Sequence, residues 1–335
     1  MKILVTGGAG YIGSHTCVEL LNNNYEVVIL DNFSNSKPSV LESIKKITNK
    51  DFMFYEGNLI DEELLTEIFA KEKIDAVIDF AAYKAVGESV SMPVEYYINN
   101  VSTILNLLKV MKKFDVKKLV FSSSATVYGN PKIIPITEEC ETGGTTNPYG
   151  TSKLMVETIL KDLYTSDNSW DIAILRYFNP VGAHSTGLIG ESPVGKPNNL
   201  MPFISKVAKG ELECLKVFGD DYDTPDGTGI RDYIHVVDLA IGHIKALEKL
   251  NKENKGLYIY NLGTGSGYSV LEMINAFEKV NNVTVKYEIT DRREGDIATC
   301  YSDPSKSYKE LNFKPTKTLE DMCRDSWNFE KNYKE

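Results

Sequence analysis

The sequence predicts an α/β fold, a doubly wound parallel sheet of the Rossmann type with a smaller C-terminal α/β lobe. Two observations predict it. Short apolar runs alternate with helical stretches through the first half of the chain, which is typical of parallel strands joined by helices. The first of these runs is followed by glycines in G-x-x-G-x-x-G spacing, a turn typical of dinucleotide-binding folds.

The first predicted strand is the apolar run at residues 3–5, whose length and branched side chains indicate burial. Gly7, Gly10 and Gly13 follow it, and residues 14–21 are predicted to form a helix. Glycines at these positions let the backbone turn tightly and approach a pyrophosphate at the helix N-terminus. The segment therefore predicts a dinucleotide site.

The second predicted strand, residues 27–30, is followed directly by Asp31. A carboxylate at this place binds the ribose diol of adenosine and repels a 2′-phosphate, so the pattern favours NAD over NADP. The alternative is a structural βαβ turn followed by an acid without a ligand.

Further strands and helices alternate along the first half. Asp31, Phe80, Ser124 and Asn179 come at or just after strand ends. Ligands of parallel sheets bind there, so these residues are expected to line one crevice. The strands are predicted at 52–55, 76–80, 119–122 and 172–177, and the helices at 62–72, 92–114 and 148–166.

The composition changes after about residue 180, because segments 180–200 and 219–229 are rich in residues that favour loops. We therefore predict a first, NAD-binding domain over 1–180 and a second domain over 181–335, with parts of 233–262 packing back on the first. In the second domain, helices are predicted near 200–210, 236–250 and 269–280, and a strand near 285–289.

Tyr149 and Lys153 are four residues apart, in a segment that Asn147 can cap and Pro148 can begin as a helix. Residues at i and i+4 share a helix face, so the phenol and the ammonium project from the same side. A positive charge favours a phenolate, although lowering a tyrosine pKa from ~10 to ~7 requires roughly 4 kcal/mol. With Ser124, in the preceding Ser-Ser-Ser-Ala-Thr-Val-Tyr-Gly segment, the pair predicts a general base for sugar hydroxyls beside a hydride acceptor. Taken alone, it could equally be a surface pair.

The composition argues against several classes of function. The chain has 335 residues and a formal net charge of −10, which disfavours a nucleic-acid surface. The five cysteines include no C-x-x-C pair, as expected in a reducing compartment, and the four scattered histidines argue against a metal site. The apolar runs are too short to span a membrane or to form a signal peptide. We expect a cytoplasmic protein without metal, nucleic-acid or membrane partners.

Five further motifs bear on the family. They are Lys-Ala-Val-Gly-Glu-Ser at 84–89, Arg-Tyr-Phe-Asn-Pro-Val-Gly-Ala-His at 176–184, Asn-Asn-Leu-Met-Pro at 198–202, Arg-Asp-Tyr-Ile-His-Val at 231–236 and Arg-Arg-Glu-Gly-Asp at 292–296. Together with the glycine turn, the triple-serine segment and Tyr-x-x-x-Lys, they resemble the UDP-glucose 4-epimerase family of extended short-chain dehydrogenase/reductases. The resemblance runs from residue 1 to about residue 330.

The resemblance implies an NAD-dependent isomerase of galactose metabolism that interconverts UDP-galactose and UDP-glucose. Tyr149 would take the proton of the sugar 4-hydroxyl while C4 gives hydride to tightly bound NAD⁺. Ser124 would help to relay that proton, and Lys153 would bind the nicotinamide ribose and lower the tyrosine pKa. The 4-keto sugar would then turn about its pyrophosphate link and receive the hydride on its opposite face. A homodimer formed through the helices near 92–114 and 148–166 is also implied.

The resemblance also implies two sets of ligand contacts. The NAD contacts are Gly7, Gly10, Tyr11, Ile12, Gly13, Asp31, Asn32, Asn35, Ser36, Asn58, Leu59, Phe80, Ala81, Lys84, Asn99, Ser124, Tyr149, Lys153, Tyr177 and Phe178. The UDP-sugar contacts are Lys84, Ser124, Tyr149, Asn179, Asn199, Leu200, Lys216, Phe218, Arg231, Tyr233, Arg293, Asp296 and Cys300.

Two residues depart from the family pattern. Asn58 stands where the family usually has Asp to accept a bond from the adenine amine, a bond that an amide oxygen can also accept. Cys300 stands where members restricted to UDP-glucose and UDP-galactose tend to carry tyrosine, so the sugar pocket is expected to admit N-acetylated UDP-sugars as well. The alternative is a small buried residue whose gap a neighbour fills.

Two other functions fit the same fold. A nucleotide-sugar 4,6-dehydratase would need an additional acid and base, usually Asp-Glu, at the places where Ala125 and Thr126 stand. A non-catalytic NAD-binding scaffold would have no need of Ser124, Tyr149 and Lys153 together.

Overall fold

The computed structural model describes residues 1–193, 197–252, 255–293 and 295–333. The predicted loop at 180–200, the motif at 292–296 and the predicted second domain each include residues outside these ranges. The strands are β1 (Lys2–Thr6), β2 (Glu26–Asp31), β3 (Met53–Glu56), β4 (Ala76–Asp79), β5 (Lys118–Ser124), β6 (Asp171–Tyr177), β7 (Asn179–Val181), β8 (Leu215–Phe218), β9 (Ile230–His235), β10 (Leu257–Leu262), β11 (Gly267–Ser269), β12 (Tyr287–Thr290) and β13 (Thr299–Cys300).

The helices are α1 (Tyr11–Asn22), α2 (Ser39–Thr48), α3 (Glu62–Glu72), α4 (Val86–Ser91), α5 (Pro93–Tyr97), α6 (Thr103–Lys113), α7 (Pro148–Ser166), α8 (Leu200–Lys209), α9 (Val236–Lys252), α10 (Val270–Asn281), α11 (Ser305–Leu311) and α12 (Leu319–Asn332). The helices that the sequence predicts at 62–72, 148–166, 200–210, 236–250 and 269–280 lie within two residues of their predicted bounds, whereas α2, α11 and α12 were not predicted. Within the described ranges, none of these helices is long and apolar enough to cross a membrane.

The largest sheet has seven strands in the order β10-β6-β5-β4-β1-β2-β3, and all its strand pairs are parallel. The predicted doubly wound parallel sheet is therefore confirmed. The chain builds outward from β1 to β3 and then returns to place β4 on the other side of β1. This reversal leaves a crevice beyond the carboxyl ends of β1 and β4, where ligands of such sheets bind.

Alternation along the strands explains why helices cover both faces. Ile3 and Val5 of β1 are fully buried in one core cluster together with side chains from α1, α2 and α9. Leu4, between them, is buried in a second cluster with side chains from α3, α6 and α7. Each such aliphatic side chain contributes roughly 1.5–3 kcal/mol on full burial, so a strand with two apolar faces is stable only when it is covered on both.

The second half of the chain forms smaller sheets around a third core cluster. Strand β9 pairs with β7, β11 and β13, and β8 pairs with β12. Two elements return to the large sheet, since β10 extends it beside β6 and α9 packs against α1. These two elements make up much of the segment 233–262.

The helical segment predicted over 92–114 is confirmed, since residues 93–113 are helical without a break, but one turn inside it is a π turn that the sequence did not predict. Pro93 begins the short helix α5, a π-helical turn occupies Ile98–Ser102, and α6 starts at Thr103. The amide side chain of Asn100, inside the π turn, bonds both backbone groups of Tyr83 at 2.8 and 3.0 Å. Such single π turns accompany functional sites, and this one also carries Asn99.

Candidate active site

A cavity of about 340 Å³ lies at the carboxyl ends of β1, β2 and β4. Every residue of the predicted NAD set lines it except Ser124 and Phe178. The expectation of one crevice holds for Asp31 and Phe80, whereas Ser124 and Asn179 lie outside its lining. Asn179 differs because it belongs to β7, which pairs with β9 of a smaller sheet.

The glycine turn connects β1 to α1 and tolerates little beyond hydrogen at its glycines. Gly7 has a φ of +64°, and a Cβ there would lie 3.0 Å from the backbone nitrogen of Ala81. A Cβ on Gly13 would lie 2.2 Å from the carbonyl oxygen of Gly7. The turn is therefore packed tightly against α1 and the end of β4, which leaves its outer surface to the cavity.

The Asp31 carboxylate joins the glycine turn to the loop after β2. Its Oδ2 accepts the Ala9 N–H at 2.9 Å, and its Oδ1 accepts the Phe33 N–H and the Ser36 hydroxyl, both at 2.9 Å. The side chain is almost buried, yet it lines the cavity beside Asn32. These bonds fix an anionic group at the place where the sequence predicts an adenosine ribose.

Helix α7 carries the predicted catalytic pair. Asn147 accepts the Gly150 N–H at 2.9 Å and Pro148 is the first helical residue, as the sequence predicts. Tyr149 and Lys153 are both buried on this helix and both line the cavity. The Lys153 Nζ donates to the Ser122 carbonyl at 2.8 Å, which ties the helix to β5.

Burial dominates the electrostatics of this pair. It raises the pKa of Tyr149, and a hydrogen bond with Ser124 opposes that shift. Burial also lowers the pKa of Lys153 to about 8, against the attraction of the Asp79 carboxylate. Burial therefore decides the pKa of Tyr149 among the protein groups, while the Lys153 ammonium is directed to the Ser122 carbonyl. A tyrosine pKa lowered by Lys153 and a bound nicotinamide together stays a prediction.

Ser124 is the last residue of β5 and the N-cap of the short 3-10 turn Ala125–Tyr128. Its Oγ accepts both the backbone N–H and the hydroxyl of Thr126, at 3.2 and 3.0 Å. This leaves its own proton to be donated towards Tyr149, whose pKa the Ser124 hydroxyl acts to lower. Phe178 packs nearby, in a small cluster with Val127 and the partly buried Cys300.

A buried network holds α7 on the sheet one turn beyond Lys153. The Glu157 carboxylate accepts the Ser123 hydroxyl at 2.7 Å and two bonds from the Arg176 guanidinium at 2.9 and 2.6 Å. Arg176 also donates to the Tyr128 hydroxyl at 3.0 Å. Ser123 and Arg176 are the direct neighbours of Ser124 and Tyr177, so this network fixes the helix relative to both strand ends.

A second polar cluster contains several of the predicted UDP-sugar contacts. Arg231 lies 3.6 Å from the Asp296 carboxylate, and Arg293 lies 3.9 Å from it. The Arg293 guanidinium sits 4.6 Å above the Phe218 ring. Two guanidinium groups beside an aromatic face offer a diphosphate and a nucleobase suitable partners.

Cys300 contacts both the Phe178 cluster and the strand that carries Arg231 of the second polar cluster. Strand β13 places it in register with Arg231 of β9. Burial raises the pKa of its thiol to about 11, so the sulfur is a neutral, compact group at neutral pH. Tyr233, also in β9, is buried, and its pKa is raised to about 12 for the same reason.

The remaining predicted sugar contacts are dispersed. Asn199 stands at the start of α8 and Leu200 is its first residue. Lys216 lies 3.8 Å from Glu288 on the neighbouring strand, with most of its side chain exposed. Of the motif at 292–296, Glu294 lies outside the described residues.

Sequence reasoning missed several cavity residues that the fold brings from afar. The same cavity is lined by the segment 187–193, by Phe329 and Asn332 of α12, and by Tyr333 directly after that helix. Lys37 also lines it and lies 5.0 Å from the Tyr333 ring. The glycines at 187 and 190 gave a weak signal for a loop, whereas nothing in α12 indicated a ligand.

The residues present fit a dinucleotide cofactor. The glycine turn at the start of a helix suits a pyrophosphate, Asp31 suits a ribose diol, and Lys153 can donate to a second ribose. Among the described residues, no group of three or more His, Cys, Asp or Glu side chains could hold a metal ion.

The fold and this site define a dinucleotide-dependent enzyme of the short-chain dehydrogenase/reductase class. Comparison with known proteins is more specific. The profile of the family described as GDP-mannose 4,6 dehydratase matches residues 4–326. A UDP-glucose 4-epimerase from Haemophilus influenzae is 63% identical over 332 residues, which cover 99% of this chain and 98% of that protein.

Two solved structures are similarly close. A UDP-glucose 4-epimerase from Bifidobacterium longum, in complex with NAD⁺ and UDP, is 57% identical with a TM-score of 0.96 and 99% of both chains covered. One from Stenotrophomonas maltophila, with bound NAD and formylated UDP-arabinopyranose, is 49% identical with a TM-score of 0.97, covering 99% of this chain and 98% of that one. The chain therefore belongs to the GDP-mannose 4,6 dehydratase family, in its UDP-glucose 4-epimerase branch.

Proposed function

We propose that the protein is an NAD-dependent isomerase that interconverts UDP-galactose and UDP-glucose by transient oxidation at C4. The observation that carries this proposal is that Tyr149 and Lys153, on one helix, line the same cavity as the glycine turn and Asp31. A proton acceptor and a dinucleotide site therefore share one space. The relatives named above support the same substrate class.

Ser124, Tyr149 and Lys153 carry the proton chemistry in this proposal. Tyr149 accepts the proton of the sugar 4-hydroxyl, and Ser124, whose hydroxyl acts to lower the pKa of Tyr149, binds the same hydroxyl. NAD held at this site would supply the acceptor and later the donor of the C4 hydride, and its positive charge would favour the phenolate. Lys153 holds the nicotinamide ribose, and Tyr149 gives its proton back once the opposite face of the sugar is presented.

The second polar cluster holds the part of the substrate that does not react. Arg231 and Arg293 bind the diphosphate, and Phe218 packs against the uracil. The sugar can then turn about its pyrophosphate link while the nucleotide stays in place. Asn179, Asn199, Leu200, Lys216, Tyr233 and Asp296 complete the proposed UDP-sugar contacts.

One assay tests the proposal. The purified protein is incubated with UDP-galactose without added NAD, the sugar products are identified, and the cofactor released on denaturation is analysed. UDP-glucose as product and NAD as released cofactor are expected. Tyr149→Phe should keep the fold and the NAD but lose about 10²–10⁴-fold in turnover, since it removes only the proton acceptor. Absence of epimerisation by the wild type, or recovery of mainly NADP, would contradict the assignment.

The name of the matching family makes a 4,6-dehydratase the relevant competitor. In this chain Thr126 donates to Ser124, and Ala125 has no titratable group. Neither residue can supply the additional acid or base of that reaction. A 4-keto-6-deoxy sugar among the products would favour the dehydratase instead.

We further propose that the sugar pocket admits N-acetylated UDP-sugars. The support is the compact, neutral Cys300 beside Arg231 and the Phe178 cluster. Cysteine leaves the space that a tyrosine ring would fill. The wild type should therefore interconvert UDP-N-acetylglucosamine and UDP-N-acetylgalactosamine as well as the unsubstituted pair.

Cys300→Tyr should abolish turnover of the acetylated pair and spare UDP-galactose, because the added ring occupies only the space beside the C2 substituent. Steady-state rates on all four sugars measure this. Cys300→Ser keeps a small side chain and serves as the control, with the acetylated activity retained. A wild type that turns over UDP-galactose but neither acetylated sugar would show that neighbouring side chains fill the gap.

A cytoplasmic location and a homodimer belong to the same proposal. The five cysteines are unpaired, which suits a reducing compartment. Apolar side chains are exposed in the segments 92–114 and 148–166, through which the family is expected to dimerise, and on the adjoining α4. They include Val90, Val94, Ile98, Leu105 and Met155.

A further inference from the structure

Glu191 is a buried carboxylate that holds two of the proposed nucleotide contacts. Its Oε1 accepts the Lys84 ammonium at 2.8 Å and the Asn199 amide at 2.6 Å. Only 8% of the Glu191 side chain is exposed. The residue lines the dinucleotide cavity as well, so it stands between the cofactor space and the start of α8.

The two donors that Glu191 holds are ones that a phosphate would use. Lys84 offers an ammonium, and Asn199 offers an amide at the N-terminus of α8, where the first backbone N–H groups of a helix favour anions. Asn199 occupies the N-cap position, but its side chain makes no capping bond, since its amide is directed to Glu191. A carboxylate thus takes the position of an anion at a site built from donors.

We propose that Glu191 is an internal competitor for the diphosphate of the nucleotide. A carboxylate and a diphosphate cannot share Lys84 and Asn199, because two anions within a few ångströms repel each other in a partly buried site. A diphosphate held by Arg231 and Arg293 must therefore displace Glu191 before it also engages Lys84 and Asn199. Glu191 sets the affinity for the nucleotide without touching the reacting sugar, an inference that rests on the proposed UDP-sugar substrate.

Glu191→Gln removes the charge and keeps an oxygen that can still accept a hydrogen bond. UDP should bind this variant roughly threefold to tenfold more tightly than it binds the wild type, the gain expected when a charge-assisted contact no longer competes. Uridine, which has the same base and ribose but no phosphate, should bind both proteins equally. Titration calorimetry on the NAD-containing proteins measures both affinities.

Glu62→Gln is the matched control. Glu62 accepts the Lys109 ammonium at 2.7 Å in an ion pair between α3 and α6, away from the cavity lining. Glu62→Gln changes the net charge of the protein by the same amount as Glu191→Gln and should leave the UDP affinity unchanged. Glu191→Ala removes the same charge and leaves a smaller side chain, so it should also tighten UDP binding. Agreement between the two variants would exclude a folding defect that is specific to Glu191→Gln.

Unchanged or weaker UDP binding in both Glu191 variants would overturn the inference and make Glu191 a structural or direct ligand contact. Equal tightening of uridine would also overturn it, since the effect would then not depend on phosphate. The proposed function is tested separately by wild-type turnover of UDP-galactose. A wild type that epimerises while its Glu191 variants bind UDP no better refutes only the role of Glu191.

Discussion

The ammonium of Lys153 lies inside the protein, bonded to the Ser122 carbonyl at 2.8 Å and 4.9 Å from the Phe121 ring. Burial lowers its pKa from 10.5 to about 8, despite the Asp79 carboxylate nearby. The folded chain therefore carries an unfavourable charge below pH 8 in order to place a cation beside Tyr149. We expect this cost to be visible in the pH dependence of stability.

The lowered pKa of Lys153 determines whether stability rises or falls with pH. Between pH about 8 and 10.5 the unfolded Lys153 binds more protons than the folded one, so this residue makes the folded state relatively more stable as the pH rises. The unfolding free energy of the wild type, minus that of Lys153→Met, should rise by up to roughly 3 kcal/mol across this window. Urea unfolding at pH 7 and at pH 10 measures the difference.

Lys132→Met provides the control for that measurement, since 84% of the Lys132 side chain is exposed. Its difference from the wild type should stay constant over the same pH range. A constant difference for Lys153→Met as well would show that the buried ammonium does not titrate differently in the folded protein.

At the scale of elements, α7 depends on its contacts with two strands. Tyr149, Lys153 and Glu157 follow one another at intervals of four residues, so they occupy one face of the helix. Glu157 is fully buried and bonds Ser123 of β5 and Arg176 of β6. The same face therefore carries the proposed chemistry and the group that fixes its distance from the strand ends.

Glu157→Gln should destabilise the protein by about 3 kcal/mol, because it leaves the buried Arg176 guanidinium without its anionic partner. The turnover number should fall more than the KM rises, since the neighbours of Ser123 and Arg176 are Ser124 and Tyr177. Urea unfolding and steady-state kinetics test both effects. Lys161→Ala removes only the partly exposed partner of Glu157, at 3.5 Å, and should cost less than about 1 kcal/mol. Equal, small effects of the two substitutions would contradict the assigned role of the network.

Local signals predicted these elements to different degrees. Asn147 and Pro148 fixed the start of α7, and the structure places its ends at the predicted residues. The π turn at Ile98–Ser102 was missed because the hydrophobic periodicity of a helix does not distinguish a π turn from the α-helical turns on either side of it. Asn100 stabilises this turn through bonds to Tyr83, a contact that exists only once the fold has formed.

At the scale of the whole molecule, the sequence predicted the large sheet and the cavity beside it, because strand alternation and the glycine turn are local patterns. It did not predict the segment 187–193 or the end of α12 as cavity walls. Phe329 packs where a Cβ on Gly190 would come within 2.4 Å of its ring. Contacts between residues about 140 positions apart leave no periodic signal in either segment.

The proposed homodimer would form through the outer surface of α4 to α7, where several apolar side chains are exposed. Val90 and Val94 are each 62% exposed, Ile98 is 53% exposed and Leu105 is 48% exposed. Helices α4 and α5 both pack against α7, so these side chains belong to neighbouring elements. Exposed apolar side chains grouped on neighbouring elements mark an interface more often than single scattered ones do.

Leu105→Glu should convert the proposed dimer to a monomer, because a dimer would bury the new carboxylate among apolar side chains without a partner. Light scattering during size-exclusion chromatography would show the wild type at twice the mass of the chain and the variant at one. Ile289→Glu is the control, since Ile289 is also exposed, at 47%, but lies on β12 beside β8. It should remain dimeric. A wild type that elutes as a monomer, or a Leu105→Glu variant that stays dimeric, would show that α4 to α7 do not form the interface.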